Sequence, residues 1–276
     1  MLSVHHIMAP SAKLRAYVLA YATSSDPEFA APRHTYRFFP SSETMLVWHG
    51  QGTWSEGLRD FGEVSRARLV LMRPGVTLCA CPTAQGSLVA LLRPGALRRL
   101  IGISAHTLPP EEVPLEDILG VEAITLAERM ATRASAAGRA RLLEGWMVGR
   151  FARTRLSRSP CVRLCASVKA SGARSVRELA DVAGLSERQL RKHFVADLGL
   201  SPKRYLSMRR LRVALAGAED PTLPWTDVAH SSGYCDQSHM IRAFGDLLGV
   251  TPEGFRGLAT RSERLLDGLA TPIEAE

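Results

Sequence analysis

A duplicated pair of short helices constrains this chain more than any other feature. Ser175–Gly199 reads SVRELADVAGLSERQLRKHFVADLG, and Thr226–Gly249 reads TDVAHSSGYCDQSHMIRAFGDLLG. In the first copy Ser175 is placed to cap a helix carrying Val176, Leu179, Ala180 and Ala183, with Glu178 three residues on as the reciprocal cap. Gly184 is free to take positive φ and ends that helix. Ser186 caps a second helix, with Gln189 three residues on, and Leu190 and Phe194 face inward at i, i+4. Ala180 is small where the helices would cross. The pattern predicts a helix-turn-helix.

The second copy keeps the inward set. Val228 and Ala229 match Leu179 and Ala180, Gly233 matches Gly184, Tyr234 matches Leu185, and Met240 and Phe244 match Leu190 and Phe194. The offset is 49 residues at the first pairs and 50 from Leu190 onward, so the second copy holds one extra residue after its glycine. Asp236 becomes the expected N-cap of its second helix. Core positions repeated in register say more than either copy alone.

The outer faces carry the chemistry. Arg188, Gln189, Arg191 and Lys192 lie around the inward Leu190 and Phe194, with His193 at the edge. The second copy presents Gln237, Ser238, His239 and Arg242. Arg and Lys can donate to guanine O6/N7, and Gln can pair with adenine in the major groove. A charged face on a lone helix reads as merely solvated; the glycine turn and both caps shift the reading to DNA contact. Which of these residues touch bases and which touch phosphate the sequence leaves open.

Between the copies, Ser201 caps and Pro202 fits the first helical position. Tyr205, Met208, Leu211, Ala214 and Leu215 form one apolar stripe, so Ser201–Gly217 predicts a stiff connecting helix. It would set two reading helices into successive major grooves about 34 Å apart. Arg204, Arg209, Arg210 and Arg212 are candidates for phosphate contact, or simply a solvated face.

On these residues the chain resembles the AraC/XylS family of bacterial transcription regulators over 160–257. The carriers include Leu179-Ala180, Gly184-Leu185-Ser186, Ser201-Pro202, Asp227-Val228-Ala229, Asp236-Gln237-Ser238-His239, Arg242-Ala243-Phe244, Thr251-Pro252 and Phe255-Arg256. Departures are mild: Met240 stands where Phe is usual, Cys235 where a polar or aromatic residue is common, and Phe255 where Tyr is frequent. The resemblance implies two helix-turn-helix units joined by a long helix, and an N-terminal domain that senses or dimerises. The segments FFPSSETMLVWHG, ALLRPGALRRLIGISAHTL and VPLEDILG look like the cupin-like N-terminal domain of one subgroup. Double-stranded DNA, RNA polymerase, a small-molecule effector and a second copy are the partners this leaves open. No cofactor is implied.

The rest of the chain fits that division. Tyr36–Phe39, Met45–His49, Ala67–Leu71, Val76–Cys81 and Leu88–Leu92 are strand-like runs between Gly, Pro and Ser clusters, expected to form a barrel or sandwich. After Gly95, Leu97, Leu100 and Ile101 take helical spacing, and Val121–Arg155 predicts two helices broken near Gly138. The expected class is α+β: a cupin-like β-barrel plus helices over 1–157, an all-α double helix-turn-helix domain over 158–262, and an acidic tail over 263–276. LSRSP at Leu156–Pro160 is the expected linker. The three segments carry net charges of +5, +6 and −3, within +8 overall. That excess permits a polyanionic partner without requiring one.

Several classes fall away. Pro74–Leu92 is nearly uncharged, but its Pro, Gly and Ser residues make it strands and turns rather than a membrane span. The N-terminus has no export pattern, and five cysteines in a long chain fit a reducing cytosol, so a cytoplasmic location is expected. Catalysis is not expected: His34 and His49 are isolated, and His5-His6 reads as a solvated pair. One rival is a thiol- or metal-responsive regulator using Cys79, Cys81, Cys161 and Cys165. The plainer reading makes them small buried hydrophobes. Another rival is a small-molecule or protein-binding module without DNA affinity. Arg37, Phe39, Trp48, His49 and Trp54 could line a barrel, but aromatics there read as core and define no ligand site.

Overall fold

Leu88–Leu92 is a run of five apolar residues that can be covered on both faces, and it takes an interior place in a sheet. A computed structural model of the chain describes residues 4–24, 35–38, 44–49, 52–56, 59–64, 68–72, 77–80, 88–109, 113–154, 160–161, 164, 175–218 and 220–259. The first strands are β1 (Val4–Met8), β2 (Val18–Ser24), β3 (Thr35–Phe38), β4 (Thr44–His49) and β5 (Gly52–Glu56). Then come β6 (Arg59–Val64), β7 (Arg68–Met72), β8 (Thr77–Ala80), β9 (Leu88–Leu92) and the short β10 (Val113–Pro114).

They form two antiparallel sheets, ordered β1-β2-β9-β4-β7-β10 and β3-β8-β5-β6. Both are open: no ladder among the described residues closes them into the expected barrel. The five strand-like runs fall on β3, β4, β7, β8 and β9. The apolar spacing does not predict β1, β2, β5, β6 or the two-residue β10; VHHIM, GTWSE and RDFGEV lack a clear apolar alternation.

Helices cover the larger sheet. α1 (Ala96–Ile101) follows β9 and buries Ala96, Leu97, Leu100 and Ile101. A 3-10 turn (Ala105–Thr107) and α2 (Leu115–Leu119) lead to α3 (Val121–Ala131) and α4 (Ala136–Arg153). The break between α3 and α4 lies at 132–135, not near Gly138. Ser135 caps α4 by accepting from the Gly138 N–H at 3.1 Å, which leaves Gly138 inside the first turn. Trp48 is 2% exposed and its indole N–H donates to Ala127 O at 3.4 Å, which ties α3 to β4. Trp48 is thus core. The side chains of Arg37, His49 and Trp54, and all of Phe39, lie outside the described residues.

The C-terminal part contains α5 (Val176–Ala183), α6 (Glu187–Leu198), α7 (Pro202–Ala218), α8 (Trp225–Ser231), α9 (Gln237–Leu248) and α10 (Pro252–Ala259). Three buried clusters follow the chain. One joins the sheet to α1–α4, from Leu14 to Phe151. A second joins Cys161 and Leu164 to Leu179, Leu190, Phe194 and Tyr205. The third runs from Leu211 to Phe255. α7 gives its first turns to one helical core and its later turns to the other. Of the expected linker Leu156–Pro160 only Pro160 is described, at a helical position, and the acidic tail over 263–276 lies outside the described residues.

Candidate nucleic-acid interface

The start of the second helix in each pair is fixed by its caps. Ser186 and Gln189 form a reciprocal box at the start of α6: Gln189 N–H donates to Ser186 Oγ at 3.2 Å, and Ser186 N–H donates to Gln189 Oε1 at 3.0 Å. Asp236 does the same work for α9, accepting from His239 N–H at 2.7 Å. Upstream, Ser175 accepts from Glu178 N–H at 3.1 Å. These caps satisfy orphan donors and set where each helix begins.

The turns repeat bond for bond. Leu185 N–H donates to Ala180 O at 3.0 Å, and Tyr234 N–H donates to Ala229 O at 3.0 Å. Gly184 takes φ 64° and Gly233 takes φ 79°, the left-handed region that a side chain would strain. The extra residue of the second copy sits between this shared turn and the Asp236 cap.

The duplication continues beyond each helix-turn-helix. Gly199 and Gly249 end α6 and α9 at φ 70° and 69°. Ser201 and Thr251 then cap the following helices, accepting from Arg204 N–H at 3.2 Å and Gly254 N–H at 3.0 Å. Phe194 meets Tyr205 edge-on at 5.3 Å and 71°, and Phe244 meets Phe255 at 6.2 Å and 74°. The constant spacing of 50 between Ser201-Pro202 and Thr251-Pro252 carried that signal.

With Leu190, Phe194, Met240 and Phe244 all fully buried, the opposite faces are turned outward. Arg188, Gln189, Arg191 and Lys192 are exposed on α6. Gln189 also serves the cap, so its side-chain oxygen is already engaged. On α9, Ser238 and Arg242 are exposed, while Gln237 and His239 are half-buried. The His239 ring stands edge-on to Tyr234 at 5.2 Å. The first face therefore carries three cations and the second one, leaving histidines aside. On α7, Arg204 is exposed, whereas Arg209, Arg210 and Arg212 are half-buried.

Two groups shape the second unit from behind. The Arg256 guanidinium lies 3.9 Å from the Trp225 ring centroid and donates to Ala218 O, Asp220 O and Leu223 O at 3.1–3.2 Å. It thereby holds the segment between α7 and α8. Trp225 in turn donates to Glu253 Oε2 at 2.8 Å. Burial pushes the Tyr234 hydroxyl up to about 12, with nearby Arg210 acting against it.

The cysteines do not assemble among the described residues. Cys161 is buried beside the first helical core and Cys235 is exposed before α9. The Cys79 side chain, Cys81 and Cys165 lie outside the described residues. No group of three or more potential metal ligands occurs among the described residues.

Residues 179–257 match a family model described as a helix-turn-helix domain. An AraC-like transcription regulator of Streptomyces antibioticus is 33% identical over 82 residues, which cover 30% of this chain and 27% of that protein. LumQ, a transcriptional regulator of Photobacterium leiognathi, is 32% identical over 82 residues, 30% of this chain and 33% of LumQ. The matches thus span about a third or less of these relatives. Among solved structures, ToxT from Vibrio cholerae superposes at TM-score 0.45 and 11% identity, over 82% of this chain and 97% of ToxT. The DNA-binding domain of AdpA, solved with a target DNA, gives TM-score 0.35 and 23% identity over 37% of this chain and 96% of that domain.

Proposed function

We propose that this chain, which carries an AraC-type helix-turn-helix domain, is a sequence-specific DNA-binding transcription regulator. The observation that carries the reading is the repeated cap, turn and core geometry beneath two outward polar helix faces. Arg188, Gln189, Arg191 and Lys192 form one contact surface, and Gln237, Ser238, His239 and Arg242 the other. Cations neutralise phosphates and give salt-dependent affinity; the mixed donors read base edges.

In this reading residues 158–262 form the DNA-binding domain. Residues 1–157 form a cupin-like sensor or dimerisation domain, open to a small-molecule effector or a second copy, and the chain works in the cytoplasm without catalysing a reaction. RNA polymerase is a further partner of a protein of this kind. Coupling between the halves is supported by contacts from α1 and the 3-10 turn to the last turn of α6: Ser104 Oγ donates to Ala196 O at 3.0 Å, beside an Arg98–Asp197 ion pair.

A gel shift on fragments of the source genome, at several salt concentrations, tests this. Retained fragments that Arg191→Ala releases more readily than random DNA support the reading. No salt-dependent shift on any fragment would favour a binding module without DNA affinity.

A further inference from the structure

Four arginines share one groove on the outer side of the α3–α4 hairpin, remote in sequence from the helix-turn-helix units. Arg129 and Arg133 come from the end of α3 and the loop after it; Arg141 and Arg153 come from α4. All four are exposed, and they rim an open surface groove of about 650 Å³. No carboxylate lines it, and no ion pair involves any of the four among the described residues. The adjacent cations of α4 are used differently. Arg150 pairs with Glu122 at 2.8 Å, and Arg139 stacks on Trp48 at 4.6 Å. The groove arginines are thus the cations of this hairpin left facing water.

Gly138 and Gly145 line the groove, and Gly149 lies one turn further along α4, outside its lining. A Cβ at Gly145 would meet nothing within 4 Å. A Cβ at Gly149 would come within 3.3 Å of Arg153 Nη2, because Arg153 folds back one turn and donates from Nε to Gly149 O at 3.2 Å. That bond steadies one guanidinium against its own helix. Leu142 and Trp146 supply an apolar wall. The Trp146 indole N–H is already committed to Glu122 Oε1 at 2.8 Å, so the ring has no donor left for a ligand.

We propose that this groove binds a small organic anion bearing at least two phosphate or carboxylate groups and an apolar part. Guanidinium forks match both oxyanions bidentately, and a concavity lined by one sign of charge concentrates the opposite sign. The volume lies in the range of small-molecule sites. A second copy is the poorer occupant, since a two-fold interface centred here would set four arginines against four.

The test is calorimetric titration of the full chain with inorganic pyrophosphate and, separately, with citrate, at constant ionic strength. Saturable one-to-one binding of either probe is expected, and the stronger of the two identifies the oxyanion preferred. Gly145→Glu places a carboxylate in open space on the floor and should weaken binding at least tenfold, as should Arg133→Ala combined with Arg141→Ala. Arg191→Ala, on α6 and outside the groove lining, should leave anion binding intact. Should Gly145→Glu fail to fold, Arg141→Gln replaces it, with a loss of at least threefold expected. Absence of saturable binding overturns the proposal. So does binding that ignores the groove variants or that disappears in Arg191→Ala. DNA affinity that falls in Gly145→Glu while neither probe binds also overturns it, and assigns the groove to the duplex backbone. Loss of DNA binding in Arg191→Ala with anion binding intact keeps the two sites distinct.

Discussion

Arg98 Nη1 lies 3.3 Å from Asp197 Oδ1, and this ion pair joins α1 of the N-terminal half to the last turn of α6. Asp197 is 2% exposed, and an acidic residue at a helix C-terminus opposes the helix dipole. The facing guanidinium offsets both costs. Arg98→Ala removes that cation and should destabilise the chain by about 1–3 kcal/mol, discounted because Arg98 is itself 37% exposed. Asp197→Ala should cost less, and the double variant less than the sum of the two. Urea unfolding of the four proteins in a double-mutant cycle measures the coupling. Additive effects would mean the pair contributes nothing to the junction.

Arg256 makes three hydrogen bonds to backbone carbonyls while stacking on Trp225. Lysine cannot reproduce that fork or the stacking. Arg256→Lys should therefore cost about 1–3 kcal/mol. It should also raise amide exchange in 220–231, with α5 and α6 unaffected. Hydrogen exchange by mass spectrometry reads both; unchanged exchange in 220–231 would remove Arg256 from this role.

The Tyr234 hydroxyl is buried without a hydrogen-bond partner among the described residues, and its counterpart in the first copy is Leu185. Tyr234→Phe deletes an unsatisfied polar atom and keeps the ring that packs against His239. Stability should stay the same or rise by up to about 1 kcal/mol. A thermal melt that falls by several degrees would mean that the hydroxyl is satisfied in solution.

Much of the helical half was legible because its determinants are local. Ser175, Ser186, Asp236, Gly184 and Gly233 act within a few residues of themselves, so their spacing predicts caps and turns before any packing is known. The aromatic pairs Phe194–Tyr205 and Phe244–Phe255 bridge separate helices, and only the constant offset between the copies hinted at them. The N-terminal sheets were harder. β5 and β6 pair through backbone bonds that their side chains do not announce, and whether an antiparallel sheet closes depends on pairings remote in sequence. The α3–α4 break was misplaced at Gly138 because glycine reads as a breaker, whereas the Ser135 cap decides where α4 starts. The α1–α6 junction had no signal in the sequence: Arg98 and Asp197 are ordinary charges until the fold brings them together.

In the proposed function, the outer faces of α6 and α9, held by α7, engage successive major grooves of one duplex. Hydroxyl-radical footprinting of the full chain on a fragment selected from its source genome tests it most directly. Two protected patches about ten base pairs apart on the same side of the helix are expected. Arg191→Ala should weaken one patch, and Arg242→Ala the other. Arg191→Ala should lose more affinity on the selected fragment than on random DNA. A single patch, or two that both variants erase equally, would rule out engagement of two grooves by α6 and α9.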